Sequence, residues 1–244
     1  MSKPLLRDLR RVVVKIGSSL LIDSDNRLDR AWLESLADDV ARLRENDQQV
    51  LLVSSGAVAI GSQVLGIIPR RARLDELQAA AAAGQVQLVH AYQEALGRHD
   101  IRAAQVLLPP DDTEVRRRFL NARNTLEKLL EHRIVPVINE NDTVATDEIR
   151  YGDNDRLAAR VATMCSADCL VLLSDVNGLY EMDPGLDPDA RMIPVVKQIT
   201  ADIEARAGQS STGFGTGGMI TKLAAAKICM PAGCATVIAN GHRQ

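Results

Sequence analysis

Aromatic residues are scarce in this sequence of 244 residues, where one Trp, three Tyr and two Phe make up 2% of the chain. Proteins that bind single-stranded nucleic acid stack the bases on exposed aromatic rings, so this composition argues against that class. The net charge is −3, whereas DNA and membrane surfaces attract basic proteins. We therefore expect no nucleic acid and no membrane partner, and a core built from Leu, Val, Ile and Ala.

Cysteine and long hydrophobic runs are also sparse. No C-x-x-C pair occurs among the four cysteines, which favours buried free thiols in a reducing compartment over metal ligation. No run approaches the ~18 apolar residues of a membrane span. The first eleven residues are charged and lack the apolar segment of a secretory signal. We therefore expect a cytoplasmic protein without a resident metal.

Short apolar runs alternate with amphipathic stretches along the whole chain. Most of the runs are continuously apolar, which is typical of parallel strands buried on both faces. The alternation predicts an α/β fold of one domain, a three-layer αβα sandwich around an open, mainly parallel sheet. The predicted strands are Arg11–Ile16, Gln49–Ser54, Ile101–Leu108, Ile134–Ile138, Cys169–Ser174 and Ala235–Ala239. The predicted helical stretches are Asp29–Asn46, Leu74–Gly97 with an interruption at Gly84, Asp112–His132, Asn154–Ser166 and Gly218–Ala232.

Small and polar residues follow four of the predicted strands. They are Lys15–Ser19, Ser54–Ala57, Asn139–Asp142 and Ser174–Asp175. A further cluster, Gly152–Asp155, stands at a predicted helix start. Ligands bind beyond the carboxyl ends of the strands in open parallel sheets. The sequence therefore predicts a site at this edge, although each cluster taken alone could be a turn.

A glycine-rich loop, Gly213–Lys222, leads into the last predicted helix. It matches G-x-G-x-x-G formally, but it follows no predicted strand and no Asp or Glu comes after Glu204, which excludes a dinucleotide site. Backbone N–H groups at a helix start and Lys222 favour a phosphate instead. Lys15 ends a buried strand, where an unpaired lysine is rare. The two lysines predict two contacts to one polyphosphate. A plain loop with a surface lysine, and a Lys15 that reaches solvent, stay open as alternatives.

Six motifs together resemble the glutamate 5-kinase family, a branch of the amino acid kinase superfamily, over essentially the whole chain. They are Val13–Ser19, Val53–Val58, Phe119–Arg123, Val135–Asp142, Gly152–Asp155 and Gly215–Lys222. The resemblance implies an amino acid kinase domain over residues 1–244, without the C-terminal PUA domain that many members carry. It leaves open whether the closing strand of that domain is complete.

The resemblance implies that ATP phosphorylates the side-chain carboxylate of L-glutamate to L-glutamyl 5-phosphate, the first step of proline biosynthesis, with Mg²⁺ bridging the phosphates. It implies that Lys15 and Lys222 stabilise the transferring phosphoryl group and that Asp155 orients both lysines. The implied glutamate-binding residues are Ser55, Asp142 and Asn154. The implied ATP-binding residues are Lys15, Ser174, Asp175, Thr216, Gly217, Gly218, Met219, Ile220, Thr221 and Lys222.

The same resemblance implies proline as a feedback inhibitor and a homo-oligomer, either a dimer or a tetramer. The alternatives are another amino acid kinase, acting on acetylglutamate, aspartate or carbamate, and a non-catalytic amino-acid sensor of the same fold. Retention of both Lys15 and Lys222 argues against the sensor. Asp142 as a turn former and Asp155 as a carboxylate that complements a helix dipole also stay open.

Overall fold

A parallel sheet forms the centre of the molecule. The computed structural model describes residues 8–23, 27–109, 115–144, 154–182, 184–187, 189–207 and 218–242. The six described strands are β1 (Arg11–Ile16), β2 (Gln49–Ser54), β3 (Ala103–Leu108), β4 (Val135–Glu140), β5 (Cys169–Ser174) and β6 (Ala235–Asn240). They are arranged in the order β3-β4-β2-β1-β5-β6, and every neighbouring pair is parallel.

Helices cover both faces of this sheet. They are α1 (Ser18–Leu21), α2 (Arg30–Glu45), α3 (Ala57–Leu65), α4 (Leu74–Gly97), α5 (Arg116–Glu131), α6 (Asn154–Met164), α7 (Ala201–Ala207) and α8 (Met219–Cys229). Because side chains alternate along a strand, Val12 and Val14 of β1 pack with α1 to α4, whereas Val13 packs with α5, α6 and α8. These two cores confirm the predicted three-layer αβα sandwich.

The predicted interruption at Gly84 is wrong, because α4 runs unbroken from Leu74 to Gly97. The glycine serves a close helix crossing instead. A Cβ atom at Gly84 would lie 1.9 Å from the carbonyl oxygen of Ala57, and one at Gly61 would lie 1.7 Å from that of Ala80. The backbones of α3 and α4 therefore pack against each other with no room for a side chain between them. Helix α3 itself is not among the helices predicted from the sequence.

The other predicted elements differ from the structure at their ends. β3 begins two residues later than predicted, and β4 extends through Glu140. The last predicted helix ends as α8 at Cys229 and continues as a short 3₁₀ turn, Met230–Ala232, which contains Pro231. The start of the third predicted helix, residues 112–114, lies outside the described residues.

Two observations concern the scarce residues. All four cysteines are buried and free. The single tryptophan, Trp32 of α2, donates a hydrogen bond from Nε1 to the carbonyl oxygen of Gly241 at 2.7 Å, which joins α2 to the residue that follows β6. Within the described ranges, none of the helices combines the length and the hydrophobicity needed to cross a membrane.

Candidate active site

The carboxyl ends of the central strands hold most of the polar residues that the sequence singled out. From β1 the chain passes through α2 to β2 on one side, while β5 pairs with β1 on the other side. In open α/β sheets, such a reversal of strand order leaves a crevice in which ligands bind. Lys15 is the next-to-last residue of β1 and therefore lies at this crevice.

Two lysines share one buried carboxylate at the crevice. Lys15 Nζ lies 2.8 Å from Oδ1 of Asp155, and Lys222 Nζ lies 3.8 Å from Oδ2 of the same residue. Lys15 is 6% exposed, Lys222 is 5% exposed and Asp155 is fully buried. Lys15 therefore does not reach solvent, and Lys222 is not a surface residue. The two alternatives are therefore wrong in the exposure that they gave to the lysines, while residues 213–217 of the glycine-rich loop lie outside the described residues.

Burial and charge compete in this group. Burial alone would raise the pKa of Asp155, but Lys15 and Lys222 outweigh it, and hydrogen bonds from Lys15 and Thr221 add to their effect, so the pKa is held below its usual range. Burial lowers the pKa of Lys222, and Lys15 lowers it further, although Asp155 and Asp175 act in the opposite direction. One buried carboxylate thus holds two ammonium groups at the crevice, and Asp175 acts on Lys222 as well. Lysine is a common ligand of phosphate groups, so this group is suited to an anionic ligand.

The first turn of α8 is joined to the start of α6 through Asp155. Thr221 Oγ1 donates a hydrogen bond to Asp155 Oδ2 at 2.7 Å, and the carbonyl oxygen of Gly218 lies 2.8 Å from the same hydroxyl. Asp155 is the second residue of α6. One carboxylate therefore fixes Lys15 on the sheet and Lys222 on α8 relative to each other.

A second polar group lies at the ends of β2 and β4. Asn154, the first residue of α6, donates from Nδ2 to the carbonyl oxygen of Ser54 at 2.7 Å and to Oδ1 of Asn139 at 2.9 Å. All three residues are buried. Because Asn154 precedes Asp155 in the chain, these bonds also set the position of the carboxylate that holds the lysines.

Ser55 and Asp142 lie beside this group in the sequence. Ser55 Oγ donates to the carbonyl oxygen of Ile16 at 3.0 Å, and Gly56 then turns the chain into α3 with a φ of +101°. Asp142 begins a 3₁₀ turn, Asp142–Val144. Burial raises the pKa of Asp142 to about 6, because a buried carboxylate loses the hydration that favours its charged form.

Ser174 and Asp175 stand at the end of β5. Ser174 Oγ donates to Oδ1 of Asp175 at 2.9 Å, and Asn240 Nδ2 donates to the carbonyl oxygen of Asp175 at 3.3 Å. Ser174 is buried and Asp175 is exposed. Asp175 also raises the pKa of Lys222, so the two side chains are close enough to interact electrostatically.

Comparison with known proteins shows the family to which this fold and this site belong. The model of the amino acid kinase family matches residues 10–240. The chain belongs to the amino acid kinase family. Among solved structures of this fold, carbamate kinase from Giardia lamblia bound to AMP-PNP covers 97% of the chain, and the chain covers 94% of it, with a TM-score of 0.65 and 16% identity. UMP kinase from Ureaplasma parvum covers 95% of the chain, and the chain covers 89% of it, with a TM-score of 0.62 and 18% identity. At these identities the likeness concerns the fold.

Curated relatives within the family are much more similar in sequence. A glutamate 5-kinase of Paramagnetospirillum magneticum is 60% identical over 234 residues, which are 96% of this chain and 63% of that protein. A glutamate 5-kinase of Rhodospirillum rubrum is 59% identical over 94% of this chain and 61% of that protein. This member of the amino acid kinase family thus spans a little over three fifths of the length of these relatives.

The described residues include part of the expected nucleotide site. Gly218 precedes α8, and Met219, Ile220, Thr221 and Lys222 form its first turn. Thr216 and Gly217 lie outside the described residues, as do Gly152 and Asp153.

Sequence reasoning missed two residues that touch the site from α4, Gln85 and Tyr92. The available signal was periodicity, because Ala81, Leu88 and Tyr92 mark the buried face of α4, and Gln85 is a polar residue on that face.

Proposed function

We propose that this chain uses ATP to phosphorylate the side-chain carboxylate of L-glutamate, giving L-glutamyl 5-phosphate and ADP, the first step of proline biosynthesis. The observation that carries the proposal is the pair of buried lysines on Asp155 at the end of β1. The 60% identity to a glutamate 5-kinase supports the choice of acceptor.

The chemical difficulty of this reaction is that two anions must meet. The glutamate side chain has a pKa near 4.3 in water, so it is ionised at neutral pH and needs no general base. Two unit charges 4 Å apart repel by about 4 kcal/mol at an effective dielectric constant of 20. Lys15 and Lys222 offset this repulsion at the transferring phosphoryl group, and Asp155 keeps both ammonium groups in place before substrate binds. Catalysis is then positioning and charge stabilisation.

The acceptor is bound by the residues at the ends of β2 and β4. Asp142 pairs with the substrate ammonium, and its pKa, raised by burial, supports this role because a bound cation would stabilise the charged carboxylate. Ser55 and nearby backbone N–H groups bind a carboxylate. Asn154 completes the set from the start of α6, next to the lysine group.

The nucleotide lies against the end of β5 and the start of α8. Ser174, Asp175 and the segment from Thr216 to Lys222 contact ATP. Gly218 and the first turn of α8 offer backbone N–H groups to the phosphates, as helix starts commonly do.

Mg²⁺ fits this site as an ion carried by ATP. The described residues include no group of three or more His, Cys, Asp or Glu side chains arranged to hold a metal. Both oxygens of Asp155 already face Lys15, Lys222 and Thr221. Mg²⁺ is commonly bound through phosphates, waters and one or two carboxylates. Asp175, an exposed carboxylate directly after β5, is the residue that we expect to contribute one. When bound, the ion neutralises phosphate charge.

An acyl phosphate trap tests the proposal. The chain is incubated with ATP, Mg²⁺, L-glutamate and hydroxylamine, and the hydroxamate is measured together with ADP. We expect hydroxamate that depends on L-glutamate and on Mg²⁺. Parallel reactions with acetylglutamate, aspartate and carbamate test the other amino acid kinases through ADP release. ADP release with one of these and none with L-glutamate would overturn the choice of acceptor. Binding of L-glutamate without any turnover would indicate a sensor.

A further inference from the structure

Helix α4 supports the acceptor site from beneath the sheet ends through two buried polar residues. Gln85 Oε1 accepts a hydrogen bond from Asn139 Nδ2 at 2.8 Å, and Tyr92 donates from its hydroxyl to Ser54 Oγ at 3.0 Å. The two residues are seven positions apart, about two helical turns, so they share one face of α4. Gln85 is 7% exposed and Tyr92 is 1% exposed.

Both contacts from α4 converge on Asn154. Gln85 holds Asn139 and Tyr92 holds Ser54, and these are the two residues that accept from Asn154 Nδ2. A side-chain amide nitrogen carries two hydrogens, so both hydrogens of Asn154 are used in this way. Among the described residues, no hydrogen bond to its carbonyl oxygen, Oδ1, is found, so this atom can accept one from a ligand.

The orientation of each amide follows from the backbone. The N–H group of Glu140 donates to Asn139 Oδ1 at 2.9 Å, which identifies that atom as the oxygen. Asn139 Nδ2 is therefore a donor, and the atom of Gln85 that faces it must be the oxygen. A rotated Gln85 would place two NH₂ groups against each other. Gln85 Nε2 is buried without a hydrogen-bond partner among the described atoms, so Oε1 is the atom that the network uses.

We propose that Gln85 is a positioning residue for the acceptor substrate. Its carbonyl oxygen fixes the amide of Asn139, which in turn fixes Asn154 with its own carbonyl oxygen available to the substrate ammonium. Without that acceptor, Nδ2 of the buried Asn139 loses its partner and the amide is held only through Oδ1, so one of the two acceptors of Asn154 is positioned less firmly. This inference rests on the proposed function, because it concerns the same acceptor site.

Three variants separate the role of Gln85 from a general effect on α4. Gln85→Met removes the acceptor at nearly constant volume, Gln85→Glu keeps an oxygen acceptor in the same place, and Gln87→Met makes the same change on the exposed side of α4. With Gln85→Met we expect the KM for L-glutamate to rise about tenfold, the order of one buried hydrogen bond, with the KM for ATP unchanged. With Gln87→Met we expect the KM for L-glutamate to stay within about threefold of the wild-type value, and with Gln85→Glu we expect a smaller rise than with Gln85→Met.

Two kinetic results would overturn the inference. One is an unchanged KM for L-glutamate in a folded Gln85→Met variant. The other is an equal rise in Gln85→Glu and Gln85→Met, which would show that the acceptor oxygen is not what matters. Thermal unfolding by circular dichroism establishes that each variant is folded.

Hydrogen exchange keeps the inference testable apart from the proposed function. If the wild-type chain does not turn over L-glutamate, the proposed function fails, but Asn154 still begins α6. The peptide that spans the start of α6 should then exchange faster in Gln85→Met than in Gln87→Met. Equal exchange in the two variants would overturn the role of Gln85 in holding Asn154.

Discussion

At the scale of single residues, the sharing of Asp155 by Lys15 and Lys222 makes each lysine separately testable. Lys15→Ala and Lys222→Ala should each lower kcat by roughly 10²–10³, the usual loss when a preorganised charge is removed from a transition state. The KM for L-glutamate should change much less. Steady-state kinetics with the hydroxamate assay measures both constants.

A matched control for these variants lies on the same helix. Lys227 of α8 is partly exposed and pairs with Glu204, so Lys227→Ala should leave kcat within about twofold of the wild-type value. A Lys15→Ala or Lys222→Ala variant that turns over at nearly the wild-type rate would remove that lysine from the mechanism.

The charge of Asp142 should lower the stability of the fold while it favours the binding of L-glutamate. Burial raises its pKa from 3.8 to about 6, so the folded chain holds the proton more tightly than the unfolded chain does. The cost of its charge is present above pH 6, falls as the pH drops through 6, and is absent below 3.8. Asp142→Asn should therefore raise the free energy of unfolding by about 2 kcal/mol at pH 7, and by little at pH 4. Urea unfolding at the two pH values measures this difference.

The same variant carries its own functional control. Asp142→Asn should raise the KM for L-glutamate while it stabilises the fold, and the KM of the wild type should rise as the pH falls below 6. A variant that is no more stable at pH 7 than the wild type would show that Asp142 already has a partner for its charge.

Individual site residues differ in how far the sequence could reveal them. Lys15, Lys222 and Asp155 were identifiable, because charged residues at strand ends and helix starts stand out from an apolar background. The distances between them could not be predicted, since these residues are far apart in the sequence and only the packing of β1, α6 and α8 brings them together. Gln85 and Tyr92 were missed because one polar residue on a buried helix face has no partner within its own segment.

At the scale of elements, the crossing of α3 and α4 depends on the absence of two side chains. Gly84→Ala should lower the free energy of unfolding by at least about 3 kcal/mol, because the new methyl group would meet the backbone of Ala57. Gly97→Ala in the same helix is the matched control, since a Cβ atom there meets nothing within 4 Å. It should have little effect or stabilise α4 slightly. Urea unfolding of both variants checks the difference, and equal stabilities would contradict the close crossing.

The same crossing shows what local pattern can and cannot predict about elements. Apolar runs located all six strands to within about two residues because strands buried on both faces are continuously hydrophobic. Gly84 was read as a helix breaker because local propensity disfavours glycine in helices. The structure keeps the helix because the packing of α3 requires that position to be empty, and the partner lies some twenty residues away in the chain.

At the scale of the whole molecule, the proposed function makes proline the end product of the pathway, and the acceptor site predicts how proline would act on this chain. Proline shares an α-carboxylate and an α-nitrogen cation with glutamate, so it should compete where those groups bind. Inhibition should be relieved by excess L-glutamate. Asp142→Ala should weaken glutamate and proline together, each at least tenfold, because both lose the partner of their cation. Saturation and inhibition curves on this variant test the prediction.

The ATP dependence is the internal control for that experiment. The KM for ATP should stay near the wild-type value, because Ser174, Asp175 and α8 are unchanged. Loss of glutamate binding with undiminished proline inhibition would place proline at a separate site.

The bond from Trp32 to Gly241 gives the protein a natural optical reporter. A lone indole dominates the fluorescence of a chain, and here it is tied to a residue 209 positions away. Its emission should therefore change when β6 pairs with β5 and the carbonyl oxygen of Gly241 reaches α2. Stopped-flow refolding followed by tryptophan fluorescence measures the rate at which β6 docks onto the sheet. Circular dichroism measures the rate at which the helices form, and neither measurement needs a dye or an added label.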